Sequence, residues 1–408
     1  MEPRKYVFEL TYNGVNATKE ISPYLSSANY TDAIDESDTI SITLMDREGK
    51  WVSDWVPQKE DKLRPNIGLY NWESPGSAEM VSCGEFIVDD YSFSGPPDTI
   101  TMNGISAPVN LDFKETKRSK TWKEVTLSQI GAEVAERYGL ELLFDGNDIP
   151  ILKTEQSQQT DAEFLKQAAE KYGFGLKLYS GKMVLFEYAK YEAADAKMTI
   201  KKEEIRKWSY KSTMLGTYTG AKVSYTNPKS KEVVEIMVGK EGRLYSTTEK
   251  ADSPADAERI ALNALRNANR KESTISFTIT PQMDIHASDI IRIEGFGKLD
   301  GRYQVGKVVH QISRKDYSMQ ITGWRAAEDN GGTEGTGENR LAGDTYEVKS
   351  GDTLWGLAKQ FYGDATKYPV LYNANREVIE QAAKKRRKSG SSNGYWIFPG
   401  TQLTIPKE

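Results

Sequence analysis

The chain has 408 residues, 38% of them hydrophobic and 28% charged, with a formal net charge of −5. That length fits two to four domains, and the acidic balance argues against specific nucleic-acid binding, which needs a basic face. A lone cysteine, Cys83, excludes an internal disulfide and a CxxC metal or redox pair.

In chain order, residues 4–112 read as β-rich. Tyr6–Tyr12 and Thr39–Leu44 alternate apolar and polar, as half-buried strands do. Phe86–Val88 and Thr99–Met102 continue the pattern around the turn Gly95-Pro-Pro-Asp98. From residue 113 the character changes. Thr121-Trp-Lys-Glu124 reads as a capping box, followed by Val125, Ile130, Val134 and Tyr138 at near-helical spacing and a stop at Gly139. A second box, Thr160-Asp-Ala-Glu163, opens a helix carrying Phe164, Leu165, Ala168 and Tyr172 and ending at Gly173. Leu176–Tyr179 and Met183–Phe186 flank Ser180-Gly181 as a hairpin. Strands return at Ala221–Tyr225, Val233–Ile236, Ser273–Ile279 and Ile290–Ile293. One helix interrupts them, with Ser253 as N-cap, Pro254 at N1 and Ala257, Ile260, Ala261, Ala264 and Leu265 as its buried stripe. Glu328 to Thr345, rich in Gly and acidic residues, cannot bury a core and reads as a flexible linker. The start, Met1-Glu-Pro-Arg-Lys-Tyr-Val-Phe8, lacks the apolar core of a secretory signal. No apolar run is long enough to cross a bilayer, so membrane insertion is not expected.

The last stretch is the most specific. It reads Tyr346-Glu-Val-Lys-Ser-Gly-Asp-Thr-Leu-Trp355, then Ala358-Lys-Gln-Phe-Tyr-Gly363, Leu371-Tyr-Asn-Ala-Asn375 and Ile397-Phe-Pro-Gly-Thr-Gln-Leu-Thr-Ile-Pro406. This resembles the LysM module, a two-helix, two-strand domain known for binding the N-acetylglucosamine backbone of peptidoglycan. The resemblance implies ligand contacts in two loops, at Gly351, Asp352, Thr353 and Leu354 and at Ile397, Phe398, Pro399 and Gly400. The competing account is folding: Asp352 or Thr353 is a good N-cap, and Leu354, Leu357 or Ala358, and Phe361 have core spacing. Between Ile379 and Tyr395 the chain departs from the motif with an insertion carrying Lys384-Lys-Arg-Arg-Lys388 and Ser389-Gly-Ser-Ser392. It would block a glycan or recruit an anionic partner such as teichoic acid or a neighbouring subunit, but a charge run is more often a solvated loop, and that reading is preferred. A wall-binding module on a chain without a secretory signal implies another exit, such as lysis, or another task.

Two segments echo each other. Gly84-Glu-Phe-Ile-Val88 precedes Thr99–Ala107, and Gly301-Arg-Tyr-Gln-Val305 precedes Tyr317–Ala326; each is Gly-x-aromatic-x-Val, a turn, and an alternating strand ending near Gly and Ala. Chance likeness of two hairpins and duplication of a β-domain around an α/β insert both fit. With the run Gln158-Gln-Thr-Asp-Ala-Glu-Phe-Leu-Lys-Gln-Ala-Ala-Glu-Lys-Tyr-Gly173, this layout resembles the baseplate hub family of contractile phage tails, also called late control D.

That resemblance implies a mainly β protein with α+β parts. Its expected layout is a tail-tube-like β-barrel over 1–112, an α/β insert over 113–199, a second tail-tube-like β-barrel over 200–326, a linker over 327–345 and a βααβ LysM domain over 346–408. It implies a homotrimer whose six barrels adapt a six-fold tail tube to a three-fold spike. Expected partners are the tail tube protein, the central spike protein, the baseplate wedge proteins, the tape-measure protein and peptidoglycan. The expected place is the tail baseplate of a phage or phage-like particle, the chain being made in the bacterial cytoplasm.

No cofactor, metal site or catalytic residue is expected. His286 and His310 lack a partner at metal-ligand spacing. Cys83 has no nearby histidine and reads as core or strand edge. Asp89-Asp90 and Glu203-Glu204 would point to opposite faces of a strand, which argues against joint acid–base work. The alternatives to a hub are a LysM-targeted, tail-associated peptidoglycan hydrolase and a wall-binding surface protein.

Overall fold

The computed structural model describes residues 3–34, 36–72, 74–106, 112–214, 216–226, 233–247, 249, 251, 254–326, 345–348, 354–362, 368–385, 397–398 and 400–406. The chain divides into two units, residues 1–328 and 329–408.

The first stretch contains β1 (Lys5–Tyr12), β2 (Val15–Asn16), α1 (Thr18–Ile21), β3 (Leu25–Ala33), β4 (Thr39–Met45), β5 (Lys62–Tyr70), β6 (Ala78–Ser82), β7 (Phe86–Ser94) and β8 (Thr99–Ile105). There follow α2 (Asp112–Glu115), β9 (Lys117–Thr126), α3 (Leu127–Arg137), β10 (Glu141–Asp145), β11 (Pro150–Thr160), α4 (Asp161–Lys171), β12 (Phe174–Tyr179), β13 (Lys182–Glu187) and α5 (Tyr188–Glu192). The third stretch holds β14 (Met198–Lys201), β15 (Ile205–Ser212), β16 (Gly220–Thr226), β17 (Val233–Gly239), β18 (Leu244–Thr247), α6 (Pro254–Asn269), β19 (Ser273–Ile279), β20 (Ile290–Glu294), β21 (Gly301–Ser313) and β22 (Tyr317–Arg325). The second unit has β23 (Thr345–Glu347), α7 (Leu354–Tyr362), α8 (Tyr368–Lys385) and β24 (Gln402–Thr404).

One sheet joins the first and third stretches in the order β15-β19-β22-β21-β3-β4-β8-β7-β5-β1-β2, with β20 beside β21, β14 beside β20 and β6 beside β5. Two runs within it, β3-β4-β8-β7-β5-β1 and β15-β19-β22-β21-β20-β14, repeat the same spatial order in the same chain order. The repeat extends to defects. The β3·β4 ladder slips between Leu25 and Ser27, and the β15·β19 ladder between Ile205 and Lys207. The β7·β8 ladder slips between Val88 and Asp90, and β21·β22 between Val305 and Lys307. A bulge re-aims a strand and disrupts its ladder, so two pairs of bulges at equivalent positions favour duplication over chance. Buried Ile40, Ile42 and Leu44 find their counterparts in Ile275, Phe277 and Ile279. The last step differs: β1 runs antiparallel to β5, whereas β14 runs parallel to β20. Each run has its own apolar core, one around Ile42, Leu63 and Met102 and one around Phe277, Ile291 and Ile321.

Gly306 is the extra residue of the second bulge. Its carbonyl accepts a hydrogen bond from Ile34 N (3.0 Å), and a Cβ added to it would fall onto the Trp324 ring. Gly306→Ala is expected to destabilise the first unit by about 1–3 kcal/mol, the usual cost of overpacking a filled site, as read from chemical denaturation.

The α/β insert packs α3 and α4 against the sheet β10-β13-β12, with β9 and β11 as a separate antiparallel ladder. The expected capping box at Thr121 is corrected. Thr121 lies within β9, opposite Glu155, and the helix starts at Leu127 with Thr126 as N-cap and Gln129 completing the box. Thr126-Leu-Ser-Gln129 carries the same signature five residues later, and β11 claims the earlier one as its strand partner. The box at Thr160 with Glu163 forms as expected. Ser180 (φ 46°) and Gly181 (φ 75°) make the tight hairpin turn.

In the third stretch the strands expected at Ala221–Tyr225 and Val233–Ile236 and the helix expected after Ser253 form, and together they make a separate layer. The sheet β17-β16-β18 packs on α6 through Ala221, Val223, Ala257, Ile260 and Ala261. It interrupts the second run between β15 and β19, the counterparts of β3 and β4. Ser253 and most of the linker, residues 328–344, lie outside the described residues.

Candidate functional site

The chemistry of the first unit concentrates where its two runs and the insert meet. β21 pairs with β20 through Gly301–Gln304 and with β3 from Lys307 to Ser313. At that seam His310 lies opposite Tyr30 and stacks on it, with ring centroids 5.5 Å apart and planes 20° apart. His310 Nδ1 also lies 2.7 Å from Tyr317 Oη. Burial pushes His310 down to about 4, with Asp32 opposing that shift, so the ring is neutral at pH 7 and belongs to the core.

Lys177, on β12 of the insert, reaches into the first run. Its ammonium contacts Asp32 and lies 3.0 Å from Asp38, whose side chain is fully buried. Asp32 Oδ2 accepts from Ala287 N (2.8 Å), and Asp38 Oδ2 accepts from Tyr30 Oη (3.2 Å). Burial pushes Asp38 up to about 6; Lys177 opposes this and Asp32 adds to it. Burial works against the lysine charge, yet the two carboxylates raise its pKa. The triad and the Asp32 bond to Ala287 therefore tie three parts of the chain together through one partly buried cation.

The run Gln158–Gly173 is likewise explained by folding. Asp161, buried at the start of α4, accepts from Tyr138 Oη (2.7 Å) and Gln156 Nε2 (2.8 Å) and pairs with Arg137 (2.5 Å). Burial opposes its ionisation, and these hydrogen bonds outweigh burial and lower its pKa. Phe164 stacks on Trp122 with 7° between planes.

The groups weighed for catalysis are scattered. Cys83 is fully buried, and burial pushes its thiol up. The two acidic pairs need correction, because neither sits in regular strand. Asp89 is the bulge residue of β7, and Asp90 accepts from Asn103 Nδ2 (2.8 Å). Glu203 and Glu204 lie in a 3-10 turn, where Glu204 accepts from Lys201 N (2.7 Å). Among the described residues no group of three His, Cys, Asp or Glu side chains is placed to hold a metal ion. None of the helices there is long and apolar enough to cross a membrane.

In the second unit β23 and β24 pair antiparallel, Tyr346 opposite Leu403. The two helices close over them around Leu354, Leu357, Ala358, Leu371, Ile379 and Leu403. Asn375 locks α8 to β24: its Nδ2 donates to Thr404 O (2.7 Å) and Leu371 O (2.9 Å), and its Oδ1 accepts from Thr404 N (2.6 Å). Of the loop residues, Leu354 is 3% exposed in this core. Ile397 packs against the core from the rim. Phe398 O accepts from Thr401 N (3.1 Å), and exposed Gly400 donates to Val348 O (2.8 Å) with φ 86°. Gly351, Asp352, Thr353 and Pro399 lie outside the described residues. The insertion begins as helix: α8 runs through Lys384 and Lys385, where the helix dipole favours cations, while residues 386–396 lie outside the described residues.

Residues 346–379 match the LysM domain family. Over 368 residues the chain is 23% identical to the probable baseplate hub protein of Escherichia phage 186, spanning 77% of this chain and 91% of that one. The probable hub protein of Escherichia phage P2 is 24% identical over 367 residues, with 77% and 92% covered. The chain is a homologue of phage baseplate hub proteins and carries a LysM domain. The fold agrees: the 43 kDa tail protein of prophage MuSo2 from Shewanella oneidensis superposes with a TM-score of 0.61 at 12% identity, over 79% of this chain and 99% of that one. In this hub homologue, sequence reasoning missed the Lys177 triad. Asp32 and Asp38, acidic residues flanking a strand junction, were the available signal, but nothing in the sequence pairs them with a lysine some 140 positions away.

Proposed function

We propose that the chain is the structural hub of a contractile-tail baseplate and works as a homotrimer. The observation that carries this is the repeated strand order with its bulges in register. Three copies then present six similar units to a six-fold tube on one side and a three-fold spike on the other. Rings of this kind need head-to-tail contacts, which a two-run chain supplies within itself and again between copies. The tail tube protein, central spike, baseplate wedges and tape-measure protein are the partners this role requires, and the finished tail is the location. We retain the division 1–112, 113–199, 200–326, linker 327–345 and 346–408, with the β16–β18 and α6 layer as an outgrowth of the second barrel.

The role is scaffolding rather than catalysis. For the LysM domain, contacts to assembly components or to peptidoglycan come from the two loops, Gly351–Leu354 and Ile397–Gly400. Light scattering after size exclusion tests the hub role. A trimer with a central opening in negative stain is the expected result; a chain that stays monomeric after its spike is added overturns it. Co-sedimentation with purified peptidoglycan decides the LysM task, binding favouring the wall and its absence favouring assembly.

A further inference from the structure

The layer of β16, β17, β18 and α6 has two unlike sides. The insert covers one flank of α6. There Asn267 Nδ2 donates to Glu170 O (3.1 Å), and Asn263 lies so close to Gly173 that a Cβ on the glycine would strike it. β18 lies on this side, with Glu249, two residues beyond it, 3.7 Å from Lys171. The other flank carries Glu258, Leu262 and Leu265, spaced i, i+4, i+7 on one stripe. Leu265 reaches β17, since a Cβ on Gly239 would meet its Cδ2 at 3.2 Å. Leu262 is 48% exposed. Burial raises the pKa of Glu258, and no cation pairs with it among the described residues.

Beside that flank β17 is an open edge, paired with β16 alone among the described residues. In an antiparallel ladder alternate residues turn both backbone groups to the partner. Lys240 N donates to Thr219 O, and the register then gives Val238 and Ile236 to β16. Glu235, Met237 and Gly239 turn theirs outward. Proteins ordinarily blunt such an edge with proline, lysine or a bulge. The strand Val233-Val-Glu-Ile-Met-Val-Gly239 has none of these, and Val233 and Met237 are 66% and 44% exposed.

We propose that the groove between β17 and α6 captures an extended segment of a partner protein, which adds to the sheet as a fourth strand and sets a lysine or arginine against Glu258 beside an apolar residue on Leu262. In strand addition, main-chain hydrogen bonds supply affinity and alternate side chains supply selectivity. The spacing agrees: Glu258 and Leu262 stand about 6 Å apart along the helix axis, and alternate residues of a strand about 6.6 Å. Charge decides between a foreign strand and a second copy of this chain. β17 set against β17 would bring only Glu235 to the groove and no cation. The occupant is therefore another protein with an alternating apolar and basic stretch. This goes beyond the hub reading and does not depend on it.

The probe is a fluorescein-labelled peptide, Thr-Val-Thr-Val-Thr-Lys-Thr, titrated with the full chain by fluorescence polarisation. Saturable binding is expected, with slowed hydrogen exchange at the amides of Glu235 and Met237. Met237→Pro is expected to abolish binding. Its N–H points outward, so the ladder to β16 survives the proline, and an unchanged circular dichroism spectrum checks this. Glu258→Gln is expected to weaken binding about tenfold. Glu258→Lys loses this peptide and gains the one with glutamate in place of lysine; if the proline variant misfolds, this swap carries the test alone. No binding by the wild type up to about 1 mM, equal binding by a natively folded Met237→Pro, or equal affinity of Glu258→Lys for both peptides overturns the proposal. A solution mass that falls in Met237→Pro overturns it in favour of a second copy at this edge.

Discussion

Lys177→Met is expected to lower the melting temperature of the first unit by on the order of 10 °C, and by less at pH 5 than at pH 7.5. The substitution keeps the aliphatic stem and removes the one cation shared by Asp32 and Asp38. Their side chains are 6% and 0% exposed. Breaking a buried pair by removing one partner costs about 3–5 kcal/mol, because a charge is left buried without compensation. The pH dependence follows from Asp38. Burial raises its folded value to about 6, above the ordinary 3.8, with Lys177 already opposing that rise. Ionised Asp38 therefore costs stability above pH 6, and the cost fades as pH falls from 6 towards 3.8 and the buried carboxyl takes up its proton. Without the lysine the carboxyl moves further up, so protonation relieves the variant earlier on acidification. Thermal melts at the two pH values check this, and Asp38→Asn in the Lys177→Met background is expected to recover part of the loss. Equal deficits at both pH values would mean that Lys177 acts through its stem and not its charge.

Asn375→Ala is expected to unfold much of the LysM domain while leaving the first unit's transition unchanged. Three hydrogen bonds disappear, and two of the orphaned groups are the amide and carbonyl of Thr404. Thr404 is exposed, so water recovers part of the loss, and each group left without a partner costs at most about 1–3 kcal/mol. A domain of this size has a total stability of only about 3–9 kcal/mol. Protease susceptibility of residues 346–406 reads the effect, with exposed Asn373→Ala as the control, expected to change stability by less than about 0.5 kcal/mol. Equal protection of the two variants would remove Asn375 from its place as the clamp between α8 and β24.

Local signals in this chain were legible and non-local ones were not. Alternation located β1, β4, β8 and β19, and the Thr160 box fixed the start of α4, because each depends on a few adjacent residues. The same kind of signal misplaced the start of α3, where two boxes compete and only pairing with β11 decides between them. Pro65 conceals β5, a strand that accommodates it opposite Leu10. The echo of the two hairpins pointed to duplication, but the bulges that argue for it are features of pairing and have no local spelling. In the LysM domain the motif's Leu354 and Asn375 prove to be core and clamp. Part of what makes that sequence recognisable is therefore its folding.

The seam between β3 and β21 also sets a timetable. Ala33 and Lys307 pair although roughly 270 positions separate them, so a ribosome adding about 5–20 residues per second exposes the partner side of β3 for about 15–55 s before β21 emerges. Through that interval β3 is an open edge with β4 on its other side. Asp32, an inward-pointing acid on that edge, discourages a stray strand from adding there. Its neutralising lysine arrives midway, on β12 of the insert, before the final strand closes the sheet. The order of synthesis thus makes the insert a checkpoint, since the edge loses its protective charge only after the α/β layer that supplies Lys177 has been made.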